Sequence, residues 1–252
     1  MKTIERAIAQ NLLDFVEAAQ RVAPDLAATA IPCAGGVAAF VGIGSPLTTV
    51  KGAGPTLTAD DIDTAEAFFR ANDVRHVVFE LAPWISADTL EVLTHRGYIV
   101  DGSEDVVIHK PPFESAAPLH PIVAVNAEDW PGLMLRVDEP SELPSWRSLA
   151  DISAVLPGVF RLAVLDEAGA SVSCAQLAPA ADVAIFGNDA TLESARGRGA
   201  QQASIQKRLR YATAHRFRVA AAEVAPGSTS ERNYLRCGFS IAYSRTHYAR
   251  QL

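Results

Sequence analysis

The sequence predicts an α/β (α+β) fold, a mixed central sheet flanked by helices, in a tandem arrangement with a truncated first lobe and a complete second one. Three observations predict it. A strand–helix–glycine–aromatic–strand order occurs twice. A proline-rich stretch, "HKPPFESAAPLHP" at residues 109–121, separates the two occurrences and breaks any periodic pattern. A loop of glycines and arginines opens an amphipathic helix, and only the second half has it. The expected lobes are residues 1–115 and 119–252.

The chain has 252 residues, 49% of them hydrophobic. That is ample for two modest cores and excludes disorder as a description of the whole. A formal net charge of −7 argues against wholesale binding to nucleic acid or anionic membrane. The three cysteines, Cys33, Cys174 and Cys237, are odd in number and show no C-x-x-C spacing, so neither a disulfide framework nor a structural zinc site is expected. The first twenty residues carry Glu5, Asp14 and Glu17 within an amphipathic helical pattern, unlike a secretory signal. No stretch approaches the roughly 18 uninterrupted apolar residues of a membrane span. A soluble, cytoplasmic protein is expected.

The repeat is read from spacing. "HVVFELAP" (76–83) and "VAAAEVAP" (219–226) both fit buried strands. Arginine precedes glutamate by five residues in each (Arg75 and Glu80, Arg218 and Glu223), and proline follows it by three (Pro83 and Pro226). Each run enters a short helix ending in "LTHRGYIV" or "YLRCGFSI". There Gly97 and Gly238 fit helix C-caps, and Tyr98 and Phe239 lead into the next strand. Upstream of the first copy, Ile62, Ala65 and Phe69 mark one face of a helix entered through "VKGAGPTLT". Pro55 removes a donor from that loop, no arginine stands beside its glycines, and Asp60, Asp61 and Asp63 would repel an anion.

The second half has room for a complete unit. "PIVAVN" and "VFRLAVLDEA" read as strands with two helices between them, "DWPGLMLRV" and "ELPSWRSLADISAVL". Two more strands lead to the glycine loop; after its helix come a strand, a helix and two short closing strands. In "ESARGRGAQQASIQKRLRYA" (193–212), Ile205, Leu209 and Ala212 share a helical face directly after Arg196, Gly197, Arg198 and Gly199. A glycine turn that opens a helix leaves N–H groups unpaired. With the positive end of the helix dipole, these suit phosphate.

This order resembles the GNAT superfamily of N-acetyltransferases. The family motif is Arg or Gln, two residues, Gly, one residue, then Gly or Ala; Arg196, Gly199 and Gln201 stand at those positions. Gln201 departs from it by carrying a side chain, whose amide can still donate. A second family feature is a tyrosine four residues before a Gly-Phe pair, met by Tyr234, Gly238 and Phe239. The asparagine usual seven residues before that tyrosine is replaced by Gly227, and Ser230 stands at a common alanine. The resemblance covers residues 119–252 in full and the first half as a degenerate copy.

The resemblance implies acetyl-CoA as co-substrate and no metal. The pyrophosphate is expected on Arg196, Gly197, Arg198, Gly199, Ala200 and Gln201. The pantetheine arm is expected along the strand edge at Asp189, Ala190 and Thr191, as an added strand. Tyr234 is the candidate acid for the departing thiolate. Glu223 is the candidate base, although Glu80 at the same place in the copy points to a shared structural role. Leu93 replaces the tyrosine in the first copy, which is therefore expected to do no chemistry.

His215 and His247 read as surface or packing residues. "RLRYATAHRFR" interleaves basic and aromatic residues, but its charges spread around the solvent side of a helix, so no nucleic-acid partner is expected. The expected function is acetyl transfer to an amine of a small molecule or a protein terminus. Its rivals are a non-catalytic CoA-binding regulatory or interaction protein and an unrelated nucleotide-binding α/β protein. The acceptor is not written in the sequence, and oligomeric state stays open, a homodimer among the options.

Overall fold

The computed structural model describes residues 2–113, 120–137 and 146–252. The chain divides into two compact units, Met1–Asp105 with Tyr243–Leu252, and Val106–Ala242. This differs from the division at residues 115 and 119. The last ten residues belong with the first unit, because the closing segment is one twelve-residue strand that pairs there, not two short strands. Residues 114–119 of the expected linker, and the first four residues of the helix expected at 142–156, lie outside the described residues.

In the first unit, α1 (Lys2–Val22) precedes a hairpin of β1 (Thr29–Cys33) and β2 (Gly36–Phe40). Its two-residue turn, Ala34–Gly35, has both φ values positive (46 and 82), matching the twist of the strands it joins. Next come β3 (Thr49–Lys51), α2 (Ala59–Ala71), β4 (His76–Leu81), α3 (Ala87–His95) and β5 (Ile99–His109). The final strand, which becomes β11 (Ser240–Gln251), lies between β4 and β5, giving the order β1-β2-β3-β4-β11-β5. Only β3 and β4 run parallel among the pairs β1–β2, β2–β3, β3–β4 and β4–β11, and α2 makes their crossover. Ile62, Phe69 and Leu93 pack with Val50, Val77 and Phe79, so α2 and α3 cover that face. Helix α1 packs on β1, β2 and β3, burying Ala18 and Ala19 completely.

The second unit contains β6 (Ile122–Ala124), α4 (Trp130–Val137), α5 (Trp146–Ala154), β7 (Phe160–Leu165), β8 (Ser171–Ala180) and β9 (Val183–Thr191). Helix α6 (Ala200–Ala214), β10 (Val219–Val224) and α7 (Thr229–Arg236) complete it. The order is β6-β7-β8-β9-β10-β5, antiparallel from β6 to β9 and parallel between β9 and β10. Strand β8 is buried almost without alternation because helices cover both faces. Trp130, Met134 and Ala150 pack on Ala163 and Cys174, while Ile205, Leu209 and Tyr234 pack on Leu177, Phe186 and Ala222. Gly97 and Gly238 take φ of 84 and 89 just past α3 and α7, as their C-cap role requires. Among the described residues no helix is long and apolar enough to cross a membrane.

Candidate functional site

The ladder between β9 and β10 is short. It runs from Val183 opposite Val219 to Phe186 opposite Ala222, while β9 continues to Thr191. At the same place the pairing of β9 with β8 shifts: Cys174 faces Ala190 and Gln176 faces Gly187, so Asn188 and Asp189 oppose Ala175 alone. This is a bulge, with Asn188 at a left-handed φ of 51. A bulge bends its strand and re-aims a side chain. The far end of β9 therefore leaves β10 and presents a bare backbone edge.

A single 3-10 turn, Glu193–Ala195, follows β9. Gly197 and Gly199 then take φ of 76 and 85, values that glycine adopts without strain. Gly199 is the N-cap of α6 and no side chain caps the helix, so its first-turn N–H groups have no intrahelical acceptor. Arg196 is exposed and donates through Nε to the Thr191 carbonyl at 3.2 Å.

These elements border a cavity of about 710 Å³. Its wall takes Asp189, Ala190 and Thr191 from β9, and Arg196, Gly197, Gly199, Ala200 and Gln201 from the loop and α6. Ser230, Asn233 and Arg236 of α7 supply the opposite side. Arg198 is exposed and outside the wall; its carbonyl lies 2.7 Å from His120 Nε2.

Gln201 spends both ends of its amide on α7. Its Nε2 donates to Ser230 Oγ and its Oε1 accepts from Asn233 Nδ2, each at 2.8 Å. The side chain expected to donate to a phosphate instead ties two helices together, leaving the backbone N–H as its contribution to the loop. Gln202 and Arg236 both donate to Asn233 Oδ1, at 3.1 and 3.2 Å.

Behind the wall lies a buried ionic group. Arg208, fully buried on α6, pairs through both terminal nitrogens with the Asp189 carboxylate and donates to the Gln176 carbonyl at 2.9 Å. Its guanidinium carbon also sits 4.5 Å from the centre of the Phe186 ring. Burial opposes the charge on Arg208, yet Asp189 and Tyr234 raise its pKa. Tyr234 donates its hydroxyl to Asp189 Oδ2 at 2.7 Å and is 1% exposed. Burial, then the Asp189 charge, push its pKa well above 10.0 against the opposing pull of Arg208.

The two expected catalytic groups therefore stand off the cavity wall. Tyr234 is behind Asp189, and Glu223 is half-buried one residue beyond the last β9–β10 rung, with partners of its own. Asp189, expected for its backbone, proves to be the junction of the site. Arg208 gave no signal in the sequence, because a lone arginine on a helix reads as solvent-exposed. Asn233 could have been found: it stands three residues after Ser230, on the same face of α7.

The equivalent loop of the first unit is built differently. Helix α2 has a capping box: Thr58 Oγ1 accepts from the Asp61 N–H, and Asp61 Oδ2 accepts from the Thr58 N–H at 2.9 Å. Gly52 is pressed by Ala9 and Glu5 of α1, which a Cβ at Gly52 would approach to 2.8 and 2.9 Å. The cavity beside this loop measures about 230 Å³.

No protein-family model and no curated protein matches the chain. Solved structures do match it. A GCN5-related N-acetyltransferase from Kribbella flavida is similar over 98% of this chain and 95% of its own, at 17% identity and a TM-score of 0.69. A tandem GNAT protein from the clavulanic acid biosynthesis pathway is similar over 94% of this chain and 87% of its own, at 12% identity and a TM-score of 0.67. A GCN5-related N-acetyltransferase from Sphaerobacter thermophilus covers 76% of this chain and 67% of its own, at 16% identity and a TM-score of 0.59. The chain has the GNAT fold, in tandem arrangement.

Proposed function

From the GNAT fold as premise, we propose that the chain is an N-acetyltransferase that moves acetyl directly from acetyl-CoA to an amine of a small molecule or a protein terminus. The observation that carries this reading is the uncapped start of α6, where free N–H groups and Arg196 meet one cavity of about 710 Å³. In this reading the pyrophosphate takes the N–H groups of the loop from Gly197 to Gln201, with Arg196 beside it. The amides of the pantetheine arm pair with the bare edge of β9 at Asp189, Ala190 and Thr191.

The transfer forms a C–N bond and breaks a C–S bond; the amine releases a proton and the thiolate takes one. Glu223 is assigned the first proton and Tyr234 the second. The Tyr234 phenol is protonated at neutral pH, as a general acid must be, and burial beside Asp189 raises its pKa further, which favours holding the proton over releasing it. A second reading, a CoA-binding regulatory or interaction protein without catalysis, is favoured by one observation: the Tyr234 hydroxyl is already engaged as hydrogen-bond donor to Asp189.

Thermal shift with CoA and acetyl-CoA consumption with a panel of amines test both readings. Stabilisation by CoA together with turnover on an amine supports the transferase; stabilisation without turnover supports the binding protein. Stabilisation by ATP and not by CoA would overturn both. Arg196→Glu, at an exposed position, should leave the fold intact. It should weaken CoA binding roughly tenfold or more, one charge-assisted hydrogen bond being worth about 1.5–3 kcal/mol.

A further inference from the structure

The first unit holds a second cavity of about 730 Å³, on the sheet face carrying Thr49, Val78, Glu80 and His247. Three adjacent strands set Lys51, Glu80 and His247 in one row, since Lys51 and His247 each face Glu80 across their ladders. Glu104 of β5 joins this row, within 3.9 Å of the Lys51 ammonium. A carboxylate oxygen from each of Glu80 and Glu104 and a ring nitrogen of His247 lie within 4.8 Å of one another. Glu80 is 7% exposed. His247 Nε2 is itself buried and has no hydrogen-bond partner among the described residues.

A buried ring nitrogen without a partner beside two carboxylates is an unfinished polar arrangement. We propose that Glu80, Glu104 and His247 bind a divalent cation of the zinc class, with the cavity supplying the open coordination position. One imidazole and two carboxylates are ligand types that zinc accepts in three-ligand sites, the fourth place going to water or another small donor. Zinc–nitrogen and zinc–oxygen distances of about 2.0–2.2 Å require the three donors to draw together by roughly an ångström. Gly102 leaves room for the ring: a Cβ there would lie 3.4 Å from His247 Nδ1.

Arg245, fully buried, already pairs with Glu104 at 3.1 Å, so a metal takes that carboxylate's other oxygen, and Lys51 is the movable competitor. Its ammonium lies 2.8 Å from Glu80 and supplies positive charge to the cluster. A flexible four-carbon stem lets it move into the cavity when a metal arrives. This separates the proposal from a general affinity for cations, because removing the lysine should tighten the site while removing the histidine should weaken it.

The test is zinc titration of chelator-stripped full-length protein against a chromophoric chelator, with circular dichroism to confirm folding. Wild type should bind one zinc per chain. His247→Ala should bind at least about tenfold more weakly, and Lys51→Met more tightly. If His247→Ala does not fold, Glu104→Gln takes its place with the same expected weakening. No micromolar binding by the wild type, or equal binding by the ligand variant, overturns the proposal. The acetyl-transfer reading rests on other residues and is untouched by either result.

Discussion

Tyr234 and Asp189, 45 residues apart in the chain, share one proton-bearing contact of 2.7 Å, and Asp189 in turn holds the fully buried Arg208. The three groups do not contribute equally. Asp189 is the only anion among them, so its loss leaves a cation in the core.

Asp189→Asn should therefore destabilise the protein by about 3–5 kcal/mol, the usual penalty for stripping a buried ion of its partner. Tyr234→Phe removes one donor from a carboxylate that keeps its guanidinium, and should cost about 1–2 kcal/mol. Urea unfolding of both variants checks the order. Equal costs would mean that Asp189 serves Tyr234 and Arg208 alike.

Alkali should reveal the same phenol. Its folded pKa is raised above the ordinary 10.0, so below pH 10 both the folded and unfolded chains keep the proton and the stabilisation is fully present. As pH rises past 10 only the unfolded chain ionises, and the loss of stability steepens toward about 1.4 kcal/mol per pH unit for this one group. Tyr234→Phe should lower the loss of stability between pH 10 and 11 by about 1 kcal/mol, the unfolded phenol being half ionised at pH 10. Tyr98, also raised by burial, keeps its own share in both proteins. Parallel curves for wild type and variant would count against it.

CoA should bind once per chain. Helix α2 satisfies its own first turn with Thr58 and Asp61, whereas α6 leaves its first turn open. Titration calorimetry reads the stoichiometry directly. Two equivalents would show that the capped loop of the first unit opens.

Gln201→Ala should separate the helices' tie from the loop's donors. It frees Ser230 and Asn233 of their Gln201 partner and keeps the backbone of the first turn. Loss of two exchanged hydrogen bonds should lower stability by about 1–2 kcal/mol. If the bridge narrows the cavity, CoA affinity should rise or stay level. A tenfold fall would mean that the amide itself meets the ligand.

Much of this architecture was legible in the residues. The Arg196–Gly199 loop, the Tyr234–Gly238–Phe239 spacing and the paired glycines at 97 and 238 are local signals, each set by a backbone conformation or a turn of helix. Less could be read where the cause is distant. Asp189 lies on a bulge whose existence depends on how β8 and β9 align, and Arg208 is buried only because that bulge brings it an anion. One strand, Ser240–Gln251, stands where the sequence predicts two short ones: polar Arg245 and His247 interrupt the apolar pattern while the strand itself continues. In the fold, Arg245 is fully buried against Glu5 and Glu104.

That strand sets an order of events during synthesis. Residues 243–252 fill the place between β4 and β5 in the first unit, so that sheet cannot close while they are still inside the ribosome. Until then β4 presents the unpaired edge that β11 will occupy, over a register reaching from His76 to Leu81. The unit whose residues emerge first is thus the one that must wait, and nascent chains stalled short of Tyr243 should be the species that chaperones hold and proteases cut.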